Sequence, residues 1–128
     1  MFKLSENSKL RRDGVDNRLI EISNLALKIS TIDFGHPADA GIRTAERQNE
    51  LFKMGKSLCD GYKIKSKHQS GKALDFYAYV DGKASWKIEH LTLVAAAFLQ
   101  AASVLSYKLH WGGFWKTFQD YPHVELVD

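Results

Sequence analysis

The sequence predicts a small α+β domain in which two or three helices pack on a short, mainly antiparallel sheet. Three observations predict it. Residues 15–30, VDNRLIEISNLALKIS, repeat apolar side chains at three- and four-residue spacings, which is a helical period. Residues 91–107, LTLVAAAFLQAASVLSY, form a second apolar stretch of helical length. Between and around them lie short β-branched and aromatic runs such as ALDFYAYV, each closed by a turn rich in Gly or Asp. With 128 residues and an apolar fraction of 45%, the chain can bury one real core. Residues 1–128 are therefore read as a single domain, with no room for a second large module.

The elements follow in order. Leu19, Ile22, Leu25, Ala26 and Ile29 share one face and predict a helix over 15–30. TIDFGHPADAGIR reads as a short strand over Ile32 to Phe34, a turn through Gly35 to Asp39, and a second extended piece ending near Arg43. Thr44 is a good N-cap, although Arg47 stands where a capping box would carry an acid. AERQNELFKMG continues as a helix that stops at Gly55. Lys56 to Ser70 is polar and turn-rich, and is expected to wrap the mouth of a site. ALDFYAYV predicts one strand over 73–80, closed by the Asp81-Gly82 turn. A long helix is expected over Lys87 to Ser106. It contains Thr92, Gln100, Ser103 and Ser106, much of its apolar content is Ala, and it falls short of the roughly 20 strongly apolar residues of a membrane span. A buried core helix is the reading, without stable membrane insertion. YKLHWGGFW supplies a short strand and a glycine turn, and HVELV a final strand. No repeat, low-complexity tract or linker interrupts the chain.

The net charge of +3 and pI of about 9.0 come from scattered Lys and Arg rather than from a block. With no nucleic-acid motif present, nucleic acid is not an expected partner, whereas a polyanionic substrate suits the charge. Cys59 is alone, so it has no partner for an intramolecular disulfide and no CxxC pair offers a thiolate site. Any metal must be held by His and carboxylate. The N-terminal MFKLSENSKLRRDG turns polar too early for a secretory signal, which makes synthesis in the cytoplasm the expectation. A monomer is expected.

A catalytic zinc site draws three protein ligands from His, Asp and Glu and leaves a position for water. Of the five histidines, His90 at the start of the long helix and His110 beside Trp111 suit packing or capping, and His36, followed by Pro37, suits a solvated turn. His68 and Asp75 differ, because each lies where a loop feeds a strand and seven residues let the chain bring both to one centre. Gly71 between them permits an unusual backbone approach. Two readings stay open on this spacing, a metal pair or a surface loop with a capping aspartate. In QDYPHVELVD, His123 suits a ligand and Asp120, three residues earlier, suits a base aimed at the metal-bound water. Glu125 would share the strand face of His123, orienting it or replacing Asp120 as base. The alternative is a plain DYP turn with solvated acids.

SKHQSGKALD followed by DYPHVEL resembles the two signatures of the zinc peptidases of the D-alanyl-D-alanine carboxypeptidase type, a group with vancomycin-resistance dipeptidases and many phage endolysins. AGIRTAERQNELFKMGKS is similar to the stretch that precedes them, and LHWGGFWKTFQDYPHVEL resembles most the endolysin branch that cuts between L-alanine and D-glutamate. The likeness spans roughly residues 30 to 128. It implies one zinc ion (Zn2+) at the sheet edge, with His68, Asp75 and His123 as ligands. It implies Asp120 as the catalytic acid and base, and Arg43 as the arginine that contacts substrate and stabilises negative charge. Ser66 and Gln48 would support the site, with Glu125 beside them. One departure is Phe114, where the endolysin branch commonly carries a polar residue.

The resemblance implies a zinc metallopeptidase acting on peptidoglycan stem peptides, without a separate cell-wall-binding domain. Such an enzyme would wait in the host cytoplasm and reach the wall in the periplasm after holin-type release. Two rivals accompany this expectation. One is a D-alanyl-D-alanine carboxypeptidase or dipeptidase; the other is a non-catalytic zinc module, as in the vertebrate signalling domain with this kind of site.

Overall fold

Ser5 and Asp16 each accept a hydrogen bond from a backbone amide two or three residues ahead, and each starts a helix. In the computed structural model, which describes residues 2–128, these are α1 (Glu6–Arg11) and α2 (Asn17–Ile29). The period of α2 is realised as expected: Leu19, Ile22 and Ala26 are fully buried, while Leu25 and Ile29 pack at the margin. α1 was not foreseen, because six residues are too few to display a helical period. The Thr44 hydroxyl accepts from the Arg47 amide and starts α3 (Ala45–Lys53). α4 (Ile88–Val104) buries Leu91, Val94, Phe98 and four alanines and packs along α2. Among the described residues no helix is long and apolar enough to cross a membrane.

The expected single sheet is two. β1 (Asp33–Gly35), β3 (Tyr77–Val80) and β4 (Lys83–Ser85) form one antiparallel sheet in the order β1-β3-β4. β2 (Ala73–Asp75), β5 (Leu109–Trp111) and β6 (His123–Leu126) form the other, in the order β2-β6-β5. ALDFYAYV, expected as one strand, divides at Phe76, whose amide donates to the Pro122 carbonyl as the chain leaves one sheet for the other. Leu74, Phe76 and Ala78 stay buried straight through the division. The side-chain alternation is unbroken, so only the change of backbone partner reveals it.

One smaller correction and two refinements concern the loops. The second extended piece before Arg43 is not a strand, although the Arg43 amide donates to the His68 carbonyl. The loop from Lys56 to Ser70 ends in a turn of 3₁₀ helix over Lys67–Ser70, closed by a capping box of Ser66 and Gln69. Trp111 leads into a second such turn over Gly112–Phe114. The Asp81-Gly82 hairpin is as expected, with positive φ at both residues.

α2, α4 and the inner faces of both sheets enclose the core, where Phe76 stacks on Phe98 with ring centres 5.2 Å apart. Burying a phenylalanine of this kind contributes about 2–3 kcal/mol. His36 and Gln48 are fully buried within this apolar frame. Among the described residues every buried side-chain nitrogen and oxygen has a hydrogen-bond partner.

Candidate metal centre

The β2–β6 ladder sets Asp75 directly opposite His123. Cross-strand partners project to the same face, so the two side chains meet at the end of the ladder. The 3₁₀ turn that precedes β2 delivers His68 to the same point, because Ser66 Oγ accepts from the His68 amide and fixes the turn's start. His68 Nε2 lies 3.2 Å from His123 Nδ1 and 3.2 Å from Asp75 Oδ1, and His123 Nδ1 lies 3.0 Å from Asp75 Oδ1. A tetrahedral zinc with ligands at about 2.0–2.1 Å separates them by about 3.3 Å, close to this triangle.

The other nitrogen of each ring decides what these atoms offer. His68 Nδ1 lies 2.9 Å from the Gly41 carbonyl, which only accepts, so Nδ1 carries the hydrogen and Nε2 presents a lone pair. His123 Nε2 lies 2.8 Å from Glu125 Oε1, which leaves the Nδ1 lone pair facing the centre. With both rings neutral, two nitrogen lone pairs and a carboxylate oxygen thus converge on one point. Such a set fits a cation, and its chemistry of two imidazoles and one carboxylate fits zinc.

The ionisation of the site shows the same demand. Burial opposes charge on His123, but hydrogen bonds to Asp75 and Glu125 outweigh it and place its pKa at about 9. Burial likewise opposes the Asp75 carboxylate, yet the two histidines hold its pKa well below the usual range. Asp120 moves the other way, raised by burial and by the neighbouring Asp75 carboxylate. Without a metal, a proton on His123 occupies the place a cation would take.

The remaining expected residues lie around this triangle. Asp120 Oδ2 is 3.9 Å from His123 Nδ1, with its side chain 37% exposed to the cleft. Its backbone is held by Gly112, whose carbonyl accepts from the Asp120 amide, and a Cβ on Gly112 would collide with the Asp120 carbonyl. The WGG stretch therefore makes room for the loop that carries Asp120. Arg43 donates to Asp75 Oδ2 at 3.0 Å, to the Asp39 carbonyl and to Gln48, and it lines the cleft. Gln48 in turn donates to Ser57 and to the Cys59 carbonyl. Glu125 shares the strand face of His123, as its spacing predicted, and also meets Lys67. The whole opens into a cleft of about 570 Å³ walled in part by Trp86, Trp115 and Phe118. Phe114, the departure from the family pattern, lies outside that wall, 71% exposed and edge-on to Trp111.

Sequence reasoning missed several neighbours. His36 is not a solvated turn residue: it is fully buried, and its ring contacts the Asp75 backbone. Gly-His-Pro has the composition of a turn, and nothing local signals that Phe34 and Phe98 close over the ring. Trp115, whose ring centre is 5.2 Å from that of His123, and the Gly41 carbonyl were also unforeseen. A backbone acceptor leaves no signal in a sequence. His90 does not cap the long helix, whose N-cap Lys87 carries no side-chain cap; its Nδ1 lies 2.6 Å from Ser85 Oγ, and His110 is exposed on β5.

Comparison with known proteins is consistent with this geometry. The model of a family described as phage L-alanyl-D-glutamate peptidase matches residues 1–127. The chain is 34% identical to the L-alanyl-D-glutamate peptidase of Escherichia phage T5, over 98% of both chains. It is 31% identical to the peptidoglycan L-alanyl-D-glutamate endopeptidase CwlK of Bacillus subtilis, over 68% of this chain and 58% of that one. Among solved structures it resembles the L-Ala D-Glu endopeptidase ChiX of Serratia marcescens, with a TM-score of 0.85 and 31% identity over 99% of this chain and 90% of that one.

Proposed function

The chain belongs to the phage L-alanyl-D-glutamate peptidase family, and on that premise we propose that it is a zinc endopeptidase hydrolysing the L-alanyl-D-glutamate bond of peptidoglycan stem peptides. The observation that carries the reading is the convergence of His68 Nε2, His123 Nδ1 and Asp75 Oδ1 within 3.0–3.2 Å of one another at the wall of an open cleft. A zinc ion held by these three would supply Lewis acidity, making a water nucleophilic near neutral pH and polarising the scissile carbonyl.

The chain's own residues do the rest. Asp120 takes the proton of the attacking water and returns it to the departing amine of D-glutamate. Its raised pKa suits a group that must both accept and give a proton. Arg43 faces the cleft from the Asp75 side, where its charge stabilises the oxyanion that develops on the carbonyl. Glu125 keeps His123 in the tautomer that leaves Nδ1 free, and Ser66 fixes the turn that carries His68. Gln48 holds the guanidinium plane of Arg43.

The site of action is the cell wall, outside the cytoplasm, and holin-type release is the route by which a chain made in the cytoplasm would reach it. A carboxypeptidase is disfavoured by the family matched, and a non-catalytic zinc module by the carboxylate of Asp120 facing the cleft. The test is mass spectrometry of fragments from purified Gram-negative peptidoglycan, with zinc-loaded protein and a metal-stripped control. Stem peptides beginning at D-glutamate, in the zinc-loaded sample only, are expected. Release of terminal D-alanine alone would replace the reading with a carboxypeptidase, and no release from either sample would replace it with a binding module.

A further inference from the structure

Behind the three converging atoms, a buried chain of hydrogen bonds ends on the backbone of Asp75. The His36 ring is fully buried, with Nδ1 2.7 Å from the Asp75 carbonyl oxygen and Nε2 3.0 Å from Ser23 Oγ. Arg12 donates to Ser23 Oγ at 3.0 Å and to Asn24 Oδ1 at 2.8 Å. The direction of every link follows from the groups. A carbonyl only accepts, so His36 Nδ1 carries the hydrogen; Nε2 of that neutral ring accepts, so the Ser23 hydroxyl donates to it. The Ser23 oxygen then receives the Arg12 proton. The chain runs one way, from Arg12 through Ser23 and His36 to Asp75, and ties both N-terminal helices to the end of β2.

That end needs fixing. β2 has three residues, and Asp75 is the last before the chain changes sheets. Its amide turns away to the Ala40 carbonyl while its carboxylate meets His68, His123 and Arg43. The orientation of the following peptide plane is set from behind by His36, whose own amide is anchored on Ser8 Oγ and whose ring is flanked by Phe34 and Phe98. We propose that His36 is a positioning residue of the metal centre, holding the Asp75 peptide so that its carboxylate meets the two histidines, without itself touching metal or substrate. The proposal rests on Asp75 being a metal ligand.

Leu and Asn distinguish this role from core filling. They have nearly the same shape, and only the amide of Asn places a donor where His36 Nδ1 stands. Zinc affinity is measured by competition with a chelator, the visible spectrum of the cobalt(II)-loaded protein reports ligand geometry, and melting of the metal-free protein reports stability. His36→Leu is expected to weaken zinc binding on the order of tenfold or more and to change the cobalt spectrum. His36→Asn is expected to restore both towards the parent, although the two variants lose similar stability. Equal affinity in Leu, Asn and parent, or equal loss in both variants, would overturn the proposal. Should His36→Leu fail to fold, Ser23→Ala decides, since it removes the donor to Nε2 and leaves the ring: several-fold weaker zinc binding supports the proposal and parent affinity overturns it. A parent that takes up no zinc would instead remove the metal reading itself, a result visible before any substitution is made.

Discussion

Two histidines separated by 55 positions both turn a lone pair toward one point because each has its other nitrogen occupied, one by a backbone carbonyl and one by Glu125. His68, Asp75 and His123 were legible in the sequence through the family signature, whereas their spacing alone left the surface-loop reading open. What spacing could not supply was the register that sets Asp75 opposite His123. Asp120 lies beside this centre and outside the triangle, so its roles separate from theirs. Asp120→Ala should keep zinc and fold while losing about 10²–10⁴-fold in turnover, read by peptidoglycan cleavage alongside metal analysis. Metal content falling together with activity would reassign Asp120 as a ligand. The pKa of about 9 on His123 yields a second prediction. Below that pH the metal-free ring is protonated and must lose its proton to ligate. Zinc affinity should therefore rise with pH from 6.5 to 8.5, approaching tenfold per pH unit, in chelator competition. A flat profile would remove His123 from the metal shell.

Short elements built the site and were the hardest to foresee. The helix of residues 17–29 matched its expected period, the long helix of 88–104 its expected apolar length, and the last strand its alternation. α1 and the 3₁₀ turn over 67–70 did not, because their positions are set by caps and tertiary hydrogen bonds rather than by periodicity. The Gly112 turn is a similar case, with its glycine required by the close approach of the Asp120 backbone. Gly112→Ala should displace the loop bearing Asp120. We expect kcat to fall by up to about a hundredfold with zinc content unchanged, because the base is moved and the ligands are not. Unaltered kcat would show that the loop relaxes without moving the carboxylate.

At the scale of the whole molecule, two small sheets, α2 and α4 share one core, and the change of sheet at Phe76 brings Asp75, the proposed carboxylate ligand, to its border. A single sheet was the sequence expectation, because the unbroken side-chain alternation from Leu74 to Ala78 conceals a change in backbone pairing. The same core makes stability sensitive to acid through His36. Burial lowers its folded pKa to about 4, below the unfolded value of 6.5, so the unfolded chain binds more protons between these pH values. This contribution is complete above about pH 6.5 and is lost as pH falls toward 4, amounting to about 3 kcal/mol. Urea unfolding of the metal-free protein at pH 7.5 and pH 5 should show about 2 of those 3 kcal/mol lost in the parent and a smaller drop in His36→Asn; equal drops would assign the acid sensitivity to other groups.

The most direct test of a metal centre built from these three residues is anomalous diffraction at the zinc edge from zinc-loaded crystals. One peak bonded to His68 Nε2, His123 Nδ1 and Asp75 Oδ1, with the fourth position open toward Asp120, is the predicted result. No peak at that point, or a shell closed by a fourth protein ligand, would contradict it.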